Sequence, residues 1–291
     1  MTNFAQFLVS GVALGVVYAI LALGLTVVFN ATDTINVAHG PFVVLGAAFV
    51  TSYVAIGVPL LLASALAVVT VGIVAAVEAV VIIVPMLRKN ASPLGLLMIT
   101  FGFSITATEL IGRLWGKADI AFGTFVTNKP ILVRGVAIQR QTIVIVIVGA
   151  VVLTLLGGFF SRARWGRGML AVSVDRVGAS IVGINPELMA VLSFLLSGLL
   201  AGLAGVLITP LAGVSYTQGL AFVLAAVTAA VIGGLTSPAG AVVGGLLVGL
   251  LTSFSAGYIS SSYRDAIVLG ALLLVLGVRP SGIVRGLKAV S

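Results

Sequence analysis

Charged residues in this chain fall in short clusters, and the stretches between them are apolar for lengths that matter. Residues 1–32 hold no formal charge, residues 34–77 hold none apart from the titratable His39, and residues 188–263 hold none. About 20 apolar residues cross the hydrocarbon core of a bilayer as a helix, so the last stretch alone accommodates about three crossings. Runs such as Thr142–Val152 are apolar on every side, whereas a membrane β-strand alternates polar and apolar positions. The pattern therefore predicts helices over 7–29, 37–57, 59–84, 94–115, 141–160, 188–212, 219–235, 238–256 and 264–279. That is nine crossings, or eight if one short segment is re-entrant. The fold class expected is all-α: a single polytopic transmembrane helix bundle over 1–291.

Composition strengthens this reading. Of the 291 residues, 60% are hydrophobic and 8% charged, and the mean hydropathy is +1.31. Soluble domains carry about 25% charged residues because water must wet their surface. The formal charge of +8 fits the enrichment of Lys and Arg in cytoplasmic loops and calls for no nucleic acid partner. Zero cysteines exclude disulfides and thiolate metal sites. Met1–Phe7 lacks the basic start of a secretory signal, so the first apolar stretch is expected to stay as a helix.

The basic clusters set an expected orientation. Arg88 and Lys89 follow the third span, Arg162, Arg164, Arg167 and Arg176 follow the fifth, and Arg279, Arg285 and Lys288 follow the last. Nine crossings put all three groups on one side, the cytoplasm, with the N-terminus outside. The loop 117–140 dissents, with Lys117, Lys129, Arg134 and Arg140 on the other side. The inner loop, about 161–187, is the informative one. Leu170, Val174, Val177 and Ile181 are spaced 4, 3 and 4 apart, which predicts a short amphipathic helix over 168–182. Gly183 stands where its C-cap belongs and Pro186 follows.

Candidate chemistry is sparse. One histidine and no cysteine leave no metal cluster, and no GxxxxGK[ST] phosphate loop is present; no cofactor is expected. The polar run Asn36-Val37-Ala38-His39-Gly40 joins two apolar spans. It reads either as a polar turn at the membrane surface, or as a broken helix whose polar groups line a path, as transporters build them. Glu78 and Glu109 lie inside predicted spans, where carboxylates are costly and usually functional. Arg113 follows Glu109 at i+4, the spacing of a helical ion pair, while Glu78 has only Arg88 or Lys89 within plausible reach. Small-xxx-small pairs at Gly11/Gly15, Gly198/Gly202, Gly240/Gly244 and Gly245/Gly249 predict close helix contacts.

Four strings together resemble the branched-chain amino-acid type of ABC importer permease over nearly the full length. They are GVALGVVYAILALGLTVVF leading into INVAHGPFVVLGA at 35–47, then DRVGASIVGIN at 175–185 with SGLLAGLAGVL at 197–207, then AAVIGGLTSPAGAVVGGLLVGLL at 229–251, and LGVRPSGI at 276–283. The resemblance implies a coupling segment at Asp175, Gly183, Ile184 and Asn185 that docks on an ATP-binding subunit. It further implies two such subunits, a second homologous permease, and a periplasmic or lipid-anchored substrate-binding protein, all at a bacterial inner membrane, with ATP hydrolysis on separate chains. Expected path residues are Asn36 and His39, with Thr26 and Glu78 beside them. Pro41, where the family usually has an acidic or polar residue, leaves the substrate open between branched-chain amino acids and urea or short amides. A proton-coupled carrier built on Glu78 is the rival of another class.

Overall fold

A computed structural model describes residues 2–126, 130–133, 136–260, 263–279 and 282–284. Lys129, Arg134, Arg285 and Lys288, which enter the charge argument, lie outside the described residues, as do Pro280 and Ser281 of the last family string. The helices are α1 Thr2–Thr32, α2 His39–Ala55, α3 Leu60–Glu78, α4 Val84–Arg88, α5 Pro93–Leu114, α6 Arg140–Arg162, α7 Arg164–Val174, α8 Arg176–Ile181, α9 Pro186–Ala212, α10 Gly219–Gly233, α11 Pro238–Tyr258 and α12 Arg264–Val278. Among the described residues seven helices are long and apolar enough to cross a membrane, and two shorter apolar helices, His39–Ala55 and Ala266–Val278, complete the set. The nine expected spans match these in position.

Glycine sets how closely the helices approach. A Cβ at Gly249 would collide with the Gly15 backbone, and one at Gly245 with that of Ala19, so α1 and α11 touch main chain to main chain. Gly198 packs on Ala75 and Val71 of α3, and Gly202 on Val71; Gly205 sits against the Val43 backbone of α2. Gly240 and Gly244 meet Gly233 and Ala229 of α10. Each of the four expected small-residue pairs is thus a helix contact, giving dispersion energy that lipid cannot supply.

Three features differ from the sequence reading. The third span is a continuous run to Arg88, interrupted by a π-turn at Ala79–Ile83 in which Val84 N–H reaches back to Ala79 O. Pro85 explains it: the ring has no N–H and would clash with the carbonyl four residues earlier, and the widened turn relieves this. The inner element is two helices and not one, because Asp175 leaves the helix with φ −146° and ψ 109°. Its Oδ1 accepts from Val177 N–H at 2.9 Å, capping α8. The loop between α5 and α6 carries a small antiparallel hairpin, β1 Ile131–Val133 with β2 Val136–Ile138, held to α1 by two bonds between the Gln6 amide and the Ala137 backbone.

Candidate functional site

The polar run after α1 folds back into the bundle. Asp33 takes φ 54°, a left-handed conformation that Asp tolerates, and reverses the chain. Five further non-helical residues, 34–38, lead to His39, whose Nε2 lies 3.1 Å from the Leu21 carbonyl. Leu21 precedes the end of α1 by eleven residues, about 16 Å along the axis at 1.5 Å per residue. So α2 starts deep inside the bundle, with His39 only 1% exposed. This is the broken-helix arrangement; a polar turn at the membrane surface does not describe it.

Both ring nitrogens of His39 are used. A carbonyl only accepts, so Nε2–H donates to Leu21, and Nδ1 accepts from the Ser197 hydroxyl at 2.8 Å. Three helices, α1, α2 and α9, are pinned at one ring. Gly24 makes the room, since a Cβ there would lie 2.8 Å from His39 Cε1. Upstream, Asn36 Oδ1 accepts from Ala38 N–H at 2.9 Å, and Val37 N–H donates to Thr100 Oγ1 at 3.4 Å. These bonds satisfy backbone groups that the break takes out of helical pairing.

Glu78 closes the group from α3. It is 2% exposed and neither carboxylate oxygen has a hydrogen-bond partner. The Asn36 amide is the polar side chain that faces it, in a geometry short of a hydrogen bond, and Asn36 Nδ2 is itself unpartnered. Because Gly198 packs on Ala75, one turn further along α3 brings Glu78 level with Phe194 and Ser193 of α9. The Ser193 hydroxyl is also buried without a partner. Asn36, Thr100 and Phe194 line a small gap of about 10 Å³, room for about one water.

The other candidates are placed elsewhere. Thr26 is fully buried with no partner for its hydroxyl. It shares a face of α1 with Asn30, whose Nδ2 donates to Thr236 O in the turn between α10 and α11, so Thr26 does not join Asn36 and Glu78. Arg88 does not approach Glu78. It forms a two-point ion pair with Glu187 at the start of α9, Nε–Oε1 2.9 Å and Nη2–Oε2 2.6 Å, because ten residues of helix, about 15 Å, separate it from Glu78. Arg88–Glu187 is the one salt bridge among the described residues. Glu109 and Arg113 stay apart and exposed, the pairing of exposed side chains being too weak to fix them.

The segment Asp175–Asn185 sits at the same end of the bundle as Arg88. Gly183 has φ 85°, and Ile184 N–H bonds Ala179 O at 3.0 Å while Gly183 N–H bonds Ser180 O at 3.1 Å, a Schellman closure of α8. Asn185 Oδ1 accepts from Glu187 and Leu188 N–H and starts α9. Val174, Val177, Ile181 and Val182 project away from the bundle, Ile181 being 80% exposed. Ser193, Ser197 and Thr100 were missed from the sequence; the i, i+4 serines in an otherwise apolar helix were the available signal.

A polytopic helix bundle with a broken second span and a capped helical pair at one end belongs to the transport class of membrane proteins. Residues 7–276 match the sequence profile described as branched-chain amino acid transport system / permease component, and the chain belongs to that family. It is 31% identical to the high-affinity branched-chain amino acid transport system permease protein BraD of Pseudomonas aeruginosa, over 97% of this chain and 95% of that one. It is 30% identical to the corresponding LivH protein of Escherichia coli K12, over 96% and 95%. The ribose import permease protein RbsC of Escherichia coli is 28% identical over 89% of this chain and 80% of its own length.

Proposed function

We propose that this chain is the membrane-spanning permease subunit of an ATP-driven importer that carries branched-chain or related amino acids across the bacterial inner membrane. It performs no covalent chemistry; two ATP-binding subunits hydrolyse ATP, a second homologous permease completes the pathway, and a periplasmic or lipid-anchored binding protein delivers the substrate. The α7–α8 end faces the cytoplasm and the hairpin end, with the N-terminus, faces outward. The observation that carries this reading is the segment around the capped helix α8, where four aliphatic side chains, Val174, Val177, Ile181 and Val182, stand outside the bundle. Exposed apolar groups clustered in a loop mark a docking surface, and the family relatives supply the substrate class.

Within the bundle, Asn36 and Glu78 border the path at the break, His39 holds the break in place, and Thr26 lines the opposite face of α1. The test is co-purification with the candidate ATP-binding subunits and uptake of labelled leucine in proteoliposomes, for the native chain and for Gly183→Arg. Arginine at a left-handed position unfastens the α8 closure, so ATPase association and ATP-dependent uptake are both expected to fall at unchanged membrane insertion. Persistence of both sinks the docking assignment. Uptake that follows a proton gradient without any ATPase establishes the carrier reading instead.

A further inference from the structure

A second cavity lies toward the hairpin end, away from the break. It offers about 250 Å³ between α1, α9, α10, α11 and α12, close to the lower end of the size of small-molecule sites. Among the residues whose side chains are described, no Asp, Glu, Lys or Arg lines it. Two helix ends of opposite polarity do. Ala212 and Gly213, at the C-terminal end of α9, and Gln218 and Ala221, at the N-terminal start of α10, share its wall.

The chain turns sharply between those ends. Gly213 takes φ 67°, Val214 pairs with Ile120, and Ser215 starts a single 3₁₀ turn before α10. Gln218 makes no side-chain cap on α10; its Oε1 is held by Ser215 N–H. Gly219 packs against Gly40 and Pro41, so α10 starts beside the buried start of α2. A helix N-terminus carries about half a positive charge and a C-terminus about half a negative one, and such ends inside a bundle meet charged groups of substrates.

An independent observation points to a ligand here. Thr228 is 1% exposed, lines the same cavity, and has no hydrogen-bond partner for its hydroxyl among the described residues. Buried polar groups are normally satisfied by protein or by what the cavity holds. Around these groups Leu14, Phe222, Ala225 and Val268 supply apolar wall, with Tyr18 and Thr252 also lining the cavity.

We propose that this cavity is a subsite for a zwitterionic aliphatic amino acid on this chain. The ammonium lies at the α9 carbonyl end, the carboxylate at the α10 start, and the side chain against Leu14, Phe222 and Val268. The proposal rests on the importer reading and goes beyond it by placing the substrate outside the Asn36–Glu78 break. A neutral pair of dipole ends suits a molecule with opposite charges and no net charge, and it selects against the amine or the acid alone.

The test is uptake by the assembled transporter in proteoliposomes with Ala225→Leu, which adds bulk to the apolar wall, and Thr228→Val, which removes the hydroxyl at nearly constant volume. Labelled leucine and labelled alanine are compared, with ATPase co-purification measured alongside to establish assembly. A few methylenes in an apolar pocket shift selectivity about tenfold or more. Ala225→Leu is therefore expected to raise the KM for leucine about tenfold relative to alanine, and Thr228→Val to raise it for both. An assembled Ala225→Leu transporter with native leucine-to-alanine selectivity overturns the placement, as does an equal loss for the two substrates. A native complex that takes up neither amino acid fails the importer reading and, with it, this one.

Discussion

Ser197→Ala isolates what the His39 ring contributes. The hydroxyl donates to Nδ1 at 2.8 Å, and both residues are within 1% of fully buried. No water reaches the ring to replace the lost donor, so the substitution leaves a buried acceptor unpaired. That costs about 1–3 kcal/mol, a factor of about 5–150 in the folding equilibrium. The small void left by one oxygen adds little. The assay is reversible unfolding in mixed micelles of increasing denaturing detergent, followed by Trp115 and Trp165 fluorescence. The control is the same substitution in a His39→Leu background, where no ring nitrogen is left to orphan. There Ser197→Ala is expected to cost less than about 0.5 kcal/mol, the limit within which independent sites add. Equal costs in the two backgrounds would refute the bond as the link between α2 and α9. The same result would remove the case that His39 fixes the depth of the break.

Two further outcomes follow from packing and capping. Gly205→Val drives a branched side chain into the Val43 backbone and is expected to abolish accumulation of folded protein, while Gly102→Ala, which points into open space, leaves thermal stability in detergent unchanged; a stable Gly205→Val protein would mean that α2 and α9 are not in backbone contact. Asp175→Ala removes the α8 cap and costs that helix about 1 kcal/mol. Amide exchange over 176–182 is then expected to speed up about fivefold, and an unchanged rate would show that α8 is held by something other than its cap.

Hydropathy reports what lies between loops, and for that reason the positions of the nine apolar helices were legible while depth was not. Asn36 and His39 read as polar residues between two spans whether they sit at the surface or 16 Å inside. What decides is Asp33, which reverses the chain, and Leu21, Thr100 and Ser197, which receive its backbone and ring groups. All but Asp33 are distant in sequence, and none carries a motif of its own. The amphipathic stripe through Leu170 and Ile181 was visible, yet its break was not, because Asp175 is as compatible with a helix interior as with a cap until its Oδ1 finds Val177 N–H. The π-turn had a readable cause in Pro85, but a proline also permits a kink or a stop. The cavity beside α10 left almost no trace: Thr228 is one threonine in an apolar run, and the two helix ends that meet there are defined by the turn at Gly213.

What joins the two ends of the molecule is α9. Its 27 residues begin at the Asn185 cap, directly after the Schellman turn that closes α8, and Arg88 grips Glu187 in the first turn. Ser197 lies eleven residues from Pro186, about 16 Å along the axis, and holds His39. Gly198, Gly202 and Gly205 then lock the same helix onto α3 and α2 with no side chain between the backbones, and Ala212 ends it at the cavity beside α10. A helix carried by backbone contacts does not bend or slip locally without losing several of them together. If α8 docks on an ATP-binding subunit as proposed, a displacement there is expected to reach the His39 break through α9, and the wall of the second cavity beyond Pro210. The irregular element in the circuit is the π-turn after Glu78, flanked by Pro85, where the third span departs from regular α-helical pairing. Movement of α9 with Arg88 attached would be taken up there, beside the two unpartnered oxygens of Glu78 and the unpaired amide of Asn36.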